Sequence, residues 1–337
     1  MKKIISMILI GLMAFGITGC GNQDETTAPK AETKVENSNE QSAHYPVTIT
    51  TYDYAKNPVK VTFEKSPEKV IAVYQNSIET LLALGLQDKI IGVSGLDHDV
   101  KDEYKSEFSK LKHYEKTPTK EEVIGLEPDF ILGWYSLFAE KKLGDVDFWH
   151  ERGINTYMAQ NSGVIKPDSL QNEYDDILNI GKIFNVENKA NDIVNNMKKE
   201  IEKVKDLVKE KEAVKTVILE VEKDGVYRIY GEDSIGGDIA KGVGANLVAK
   251  SSGKMGNEDL IKINPDVIFT VYYGKEIDKE SALRSIMTNE GLSSISAIKS
   301  ERVHPIMLSE VYASGIRTLD GIKTISKGLY PELYEDK

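Results

Sequence analysis

An eleven-residue segment occurs twice in the chain, and that doubling limits the folds open to it more than any other feature. Glu121-Glu-Val-Ile-Gly-Leu-Glu-Pro-Asp-Phe-Ile131 returns as Glu258-Asp-Leu-Ile-Lys-Ile-Asn-Pro-Asp-Val-Ile268, at an offset of 137 residues, with Glu, Ile, Pro, Asp and Ile coinciding. Each copy reads as a short amphipathic helix feeding a buried strand. The helix stops before Pro128 or Pro265, because the residue ahead of a proline is pushed out of the helical region. Two long copies mean duplication of a domain rather than a solenoid.

The surroundings of both copies have an α/β rhythm. Strand-like runs such as Lys69–Tyr74 and Lys89–Ser94 alternate with helix-like runs such as Ser77–Leu84, and the rhythm restarts at Lys215–Val221. Between the halves Ala190, Ile193, Val194, Met197, Ile201, Val204 and Val208 recur at steps of three and four. A helix of about 22 residues would run ~33 Å, enough to join two lobes, although one periodic face does not say what covers it. The expectation is an α/β protein of two similar lobes joined by one long connecting helix, with a ligand cleft between them. The lobes are placed at 46–166 and 212–337, and the connecting helical region at 167–211.

The start of the chain carries an address. Lys2 and Lys3 precede an apolar run from Ile4 to Ile17, which ends in Thr18-Gly19-Cys20. The run is shorter than the ~20 residues of a membrane span, so it reads as a signal peptide over 1–19. Cys20 is the only cysteine, and its place after Gly19 suits bacterial lipidation. Residues 20–45, rich in Glu, Thr, Asn, Gln, Lys and Ser, read as a disordered stalk. The expected location is the outer face of the cytoplasmic membrane, held by acyl chains. With a net charge of −11 the chain is a poor partner for nucleic acid.

In parallel sheets ligands gather beyond the C-terminal strand ends. The residues after the two repeated strands are therefore site candidates: Trp134, Tyr135 and Ser136 in the first copy, and Val271, Tyr272 and Tyr273 in the second. Flat rings with polar tips suit a rigid, partly apolar ligand, and they equally suit a core.

At this point the chain resembles a known family: substrate-binding proteins, of periplasmic-binding-protein class III, serving importers of ferric siderophores, haem and cobalamin. The resemblance runs from about Tyr52 to Tyr330. It rests on Asn57–Ile71, Glu79-Thr-Leu-Leu-Ala-Leu-Gly85, Ile91-Gly-Val93, Tyr230–Asp238, Ala297–His304, Gly315–Ile322 and Leu329-Tyr-Pro331. It implies two lobes on one long helix with modest closure, and a monomer is expected. The implied partners are the membrane permease and ATPase subunits of an ATP-binding-cassette importer. Family docking positions fall on Glu121 and Glu258, which also open the two repeat helices. Family cleft positions fall on Tyr74, Trp134, Tyr135, Tyr273, Tyr312 and Arg317, with Arg228 and Tyr230 nearby.

The resemblance implies a ferric siderophore as ligand, with haem or cobalamin as alternatives and no cofactor of the protein's own. Few arginines and an acidic body favour a neutral or lightly charged chelate, such as a hydroxamate or a cobamide. Tyr273 keeps haem open, because tyrosine can ligate ferric iron. The five histidines, His44, His98, His113, His150 and His304, show no metal-ligand spacing. A rival of another class is a hydrolase pairing Glu121 with Glu258, but no nucleophile elbow, phosphate loop or zinc motif supports an enzyme. A passive adhesin would need no cleft.

Overall fold

The computed structural model describes residues 44–274 and 277–334. The expected signal peptide, the lipidation site Cys20 and nearly all of the stalk lie outside the described residues. His44 and Tyr45, counted with the stalk in the sequence, are tied down. His44 Nε2 lies 2.8 Å from Lys182 O, and the Tyr45 hydroxyl donates to Ile183 O at 2.7 Å.

The first half opens with an antiparallel pair, β1 (Val47–Tyr52) and β2 (Pro58–Phe63). Five strands then form a parallel sheet: β3 (Val70–Val73), β4 (Ile90–Ser94), β5 (His113–Tyr114), β6 (Phe130–Gly133) and β7 (Asn155–Met158), in the order β5-β4-β3-β6-β7. Every residue of β3 and β6 is buried, as expected of inner parallel strands covered on both faces.

The second half contributes β8 (Lys215–Val221), β9 (Val226–Ile229), β10 (Asn246–Leu247), β11 (Gly253–Gly256), β12 (Val267–Tyr272) and β13 (Val303–Met307). Their order is β11-β9-β8-β12-β13, with β10 beside β8. Here β8, β12 and β13 are parallel, whereas β9 runs antiparallel to β8 and β11. This sheet is mixed.

The sequence repeat is a structural repeat. Its helices are Lys120–Gly125 and Asn257–Ile263, its strands are β6 and β12, and each strand stands next to the last along the strand order given for its sheet. Val123 and Leu260, at equivalent places, are fully buried. Each helix is followed by a left-handed residue, Glu127 at φ 50 and Asn264 at φ 42. The proline then follows, so the chain turns sharply and enters its strand.

The connecting helix is Glu187–Val208. Near its start the Lys189 ammonium donates to Leu84 O in the first half. At its end Val208 comes close to Gly244 in the second, where a Cβ on that glycine would stand 3.0 Å from the valine. The helix Leu170–Ile183 packs alongside. One hydrophobic cluster runs through Val70, Ile78 and Phe130 of the first half, Ala190, Val194 and Met197 of the connector, and Ile218, Phe269 and Leu329 of the second. Two further clusters close the outer faces of the two sheets. The lobes therefore share a core.

Candidate functional site

Tyr74 follows the end of β3 and precedes the helix Gln75–Ala83, with φ 76 and ψ 155. A bulky residue with positive φ is strained and persists only where neighbours fix it. Its N–H donates to Ser94 O at 2.9 Å. Its hydroxyl lies 3.2 Å from Ser136 Oγ and accepts from Lys142 Nζ at 2.9 Å.

Trp134, just past β6, stacks on Tyr74 with ring centroids 4.3 Å apart and planes at 16°. Its indole N–H donates to Asn76 Oδ1 at 2.6 Å. Tyr312 reaches across from the second half and meets Trp134 edge to face, at 5.4 Å and 80°. The Arg228 guanidinium lies 5.8 Å from the Tyr312 ring centre and 5.1 Å from that of Tyr230. Tyr230 itself is buried and donates to Glu220 Oε2 at 2.9 Å. The structure thus brings Tyr74, Trp134 and Tyr312 into one aromatic group spanning both halves, with Lys142 and Arg228 beside it.

Tyr135 turns away to the β1–β2 side. It stacks on Tyr54 at 4.6 Å with planes 4° apart, and Lys56 Nζ sits 4.9 Å from its ring centre. Val271 is core. Tyr273 follows β12 and forms an isolated antiparallel bridge with Ile277. Its neighbour Tyr272 meets His98 edge to face at 5.9 Å, so the end of β12 abuts the loop after β4.

Arg317 has another use. It is 7% exposed and grips Glu79, which is 0% exposed, through Nε at 2.6 Å and Nη2 at 2.7 Å. Nη2 also donates to Asp99 O at 3.0 Å, and Nη1 points at Met307 Sδ at 3.4 Å. The guanidinium expected to face a ligand is already committed across the two halves, because a fully buried carboxylate requires a counter-charge. Lys101 joins Asp320 nearby at 2.8 Å.

Two further acids, Glu173 and Asp176, are buried on the helix Leu170–Ile183. Glu173 accepts from Asn161 Nδ2 at 2.8 Å, and from Ser314 N and Gly315 N of the second half at 2.9 and 2.7 Å. Asp176 accepts from the Tyr157 hydroxyl at 2.8 Å and from Gln160 N at 2.9 Å. Burial, with the Glu173 carboxylate adding to it, pushes Asp176 up to about 8. Burial and then Arg317 push His98 down to about 4, which keeps it neutral at ordinary pH. The sequence reading missed Asn76, Lys142, Glu173 and Asp176; buried acids on helices otherwise facing the core were the available signal.

Glu121 and Glu258 are exposed in the first turns of the two repeat helices. Among the described residues, no group of three or more His, Cys, Asp or Glu converges as a metal site, and no helix is long and apolar enough to cross a membrane.

A family model described as periplasmic binding protein matches residues 70–306. An uncharacterized ABC transporter substrate-binding lipoprotein of Bacillus subtilis (strain 168), YvrC, is 29% identical over 336 residues, covering 96% of each chain. The petrobactin-binding protein YclQ of the same organism is 27% identical over 325 residues, covering 94% of each. A crystal structure of a periplasmic binding protein from Veillonella parvula DSM 2008 superposes with a TM-score of 0.81 at 32% identity, covering 86% of this chain and 93% of that one.

Proposed function

The chain belongs to the periplasmic binding protein family, and on that premise we propose that it captures a ferric siderophore outside the cell and delivers it to an ATP-binding-cassette importer. It is the substrate-binding protein of such a transporter, which gives it permease and ATPase subunits as partners. The family consists of transport binding proteins, so the hydrolase alternative falls. Lipidation at Cys20 would hold the protein at the outer face of the cytoplasmic membrane, a reading supported by a relative described as a lipoprotein. Glu121 and Glu258 are assigned to docking, and 46–166, 167–211 and 212–337 to the two lobes and their connector.

The observation that carries the ligand reading is the aromatic group Tyr74, Trp134 and Tyr312, built from both halves and flanked by Lys142 and Arg228. A chelate entering here would part Tyr312 from Trp134 and lie against the rings, with its oxygen-rich face towards the two cations. Such cations favour an anionic chelate over the neutral one that the scarcity of arginines suggested. The petrobactin-binding relative points the same way. Tyr135 and Tyr273 are assigned to the rims, and Arg317 to holding the halves together.

The test is fluorescence titration with ferric petrobactin, ferric desferrioxamine B, haem and cobalamin. Ferric petrobactin is expected to quench saturably, with quenching lost in Trp134→Phe and kept in Trp149→Phe, since Trp149 is buried in the first half. Quenching by haem or cobalamin alone would overturn the siderophore assignment.

A further inference from the structure

Among the described residues, the large apolar side chains left more than a third exposed are Tyr54, Ile124, Leu207 and Ile261. Tyr54 is stacked on Tyr135. Ile124, 42% exposed, and Ile261, 38% exposed, occupy the same place in the repeat, three residues after Glu121 and Glu258. Single exposed apolar residues are ordinary. Their coincidence in register across 137 residues is not, because Gly125 has diverged from Lys262 and Glu127 from Asn264 in the same segment.

Neither isoleucine belongs to the hydrophobic clusters of its half. Val123 and Leu260 point into the two cores, which fixes the rotation of each helix and turns the next residue outward. A β-branched residue at an exposed helical position has lower helix propensity than leucine or lysine and gains less burial than it would in a core. Residues i and i+3 share a face, so each isoleucine stands beside the exposed glutamate of its helix. Glu122 and Asp259 instead fold back on Thr119 N and Gly256 N as caps, at 2.7 and 3.4 Å.

We propose that Ile124 and Ile261 are the apolar anchors of the docking surface, each entering a socket on one of two equivalent permease subunits, with basic side chains at the socket rim facing Glu121 and Glu258. The proposal rests on the importer reading and adds to it the residues that supply contact area. A duplicated anchor calls for a duplicated receptor. The acidic neighbours disfavour an anionic lipid surface, which attracts basic segments, and a second copy of this chain would set acid against acid.

The test replaces residue 124, 261 or 207 of the full-length chain with a photo-crosslinking benzoylphenylalanine in living cells and identifies the joined peptides by mass spectrometry. Positions 124 and 261 are expected to join the same polytopic membrane protein, and position 207 to join none. Adducts to lipid or to another copy of this chain, or from only one of the two positions, would overturn the proposal. In parallel, Ile124→Ser with Ile261→Ser is expected to lower uptake of iron-55 given as ferric petrobactin by at least about tenfold, with quenching unchanged and leucine at both positions restoring uptake. Unchanged uptake in the serine variant would equally overturn it. Crosslinking needs no chelate, so failure of every chelate to quench Trp134 would count against the siderophore reading alone.

Discussion

Replacing Arg317 with alanine separates two roles for that residue. In the structure its guanidinium makes two charge-assisted bonds to Glu79, at 2.6 and 2.7 Å, and Glu79 is wholly buried. After the substitution Glu79 keeps the Lys101 N–H at 2.9 Å as its hydrogen-bond partner in this site. Two charge-assisted hydrogen bonds at ~1.5–3 kcal/mol each suggest a loss of about 3–6 kcal/mol. Removal of one partner from a buried ion pair suggests about 3–5 kcal/mol, in agreement. The melting temperature should drop by about 10 °C, and the urea midpoint, followed through Trp149, should fall with it. Glu79→Gln combined with Arg317→Met should recover much of the loss, since it leaves no buried charge unpaired. A loss below about 1 kcal/mol, with chelate affinity falling tenfold or more, would refute the reasoning and return Arg317 to the cleft.

Lys142→Gln and Arg228→Gln should each weaken ferric petrobactin by about tenfold, and added salt should weaken the unmodified protein in the same direction, as titrations at two salt concentrations would show. Because burial raises Asp176 to about 8, its contribution to stability is fully present below the ordinary carboxylate range and is lost as pH rises towards 8. Urea midpoints of the protein relative to Asp176→Asn should therefore decline between pH 5 and pH 8, the window that shift sets. Thr119→Ala removes the side chain that accepts from Glu122 N at 3.2 Å, so it should cost about 1 kcal/mol and impair iron uptake without changing chelate affinity.

Much of the fold was legible because it is written in local patterns. The inner strands read as apolar runs, the connector as a three-and-four stripe, and the doubled segment as two helices feeding two strands in matching sheet positions. Tyr74, Trp134 and Tyr312 were reached through strand ends and family positions. Trp134 and Tyr135 illustrate where this stops: adjacent in sequence, they part at the short helical turn after β6, one to Tyr74 and one to Tyr54. Arg317 could not be placed because its partner lies 238 residues earlier, and pairing across such a distance leaves no periodic trace. Glu79 did carry a hint, as the lone charged residue of its helix. Lys142 sits in a segment without any period, and only the folded chain brings it to Tyr74.

The shared core and the buried Glu79–Arg317 tie bear on how traffic to the transporter is regulated. Halves joined in this way hold the two repeat helices, which we assign to docking, at nearly one spacing, whether or not a chelate is bound. Vacant copies then contend with filled ones for the same landing place, and abundance becomes a brake. Raising the amount of this protein while chelate is scarce should slow iron entry, and raising chelate should release the brake.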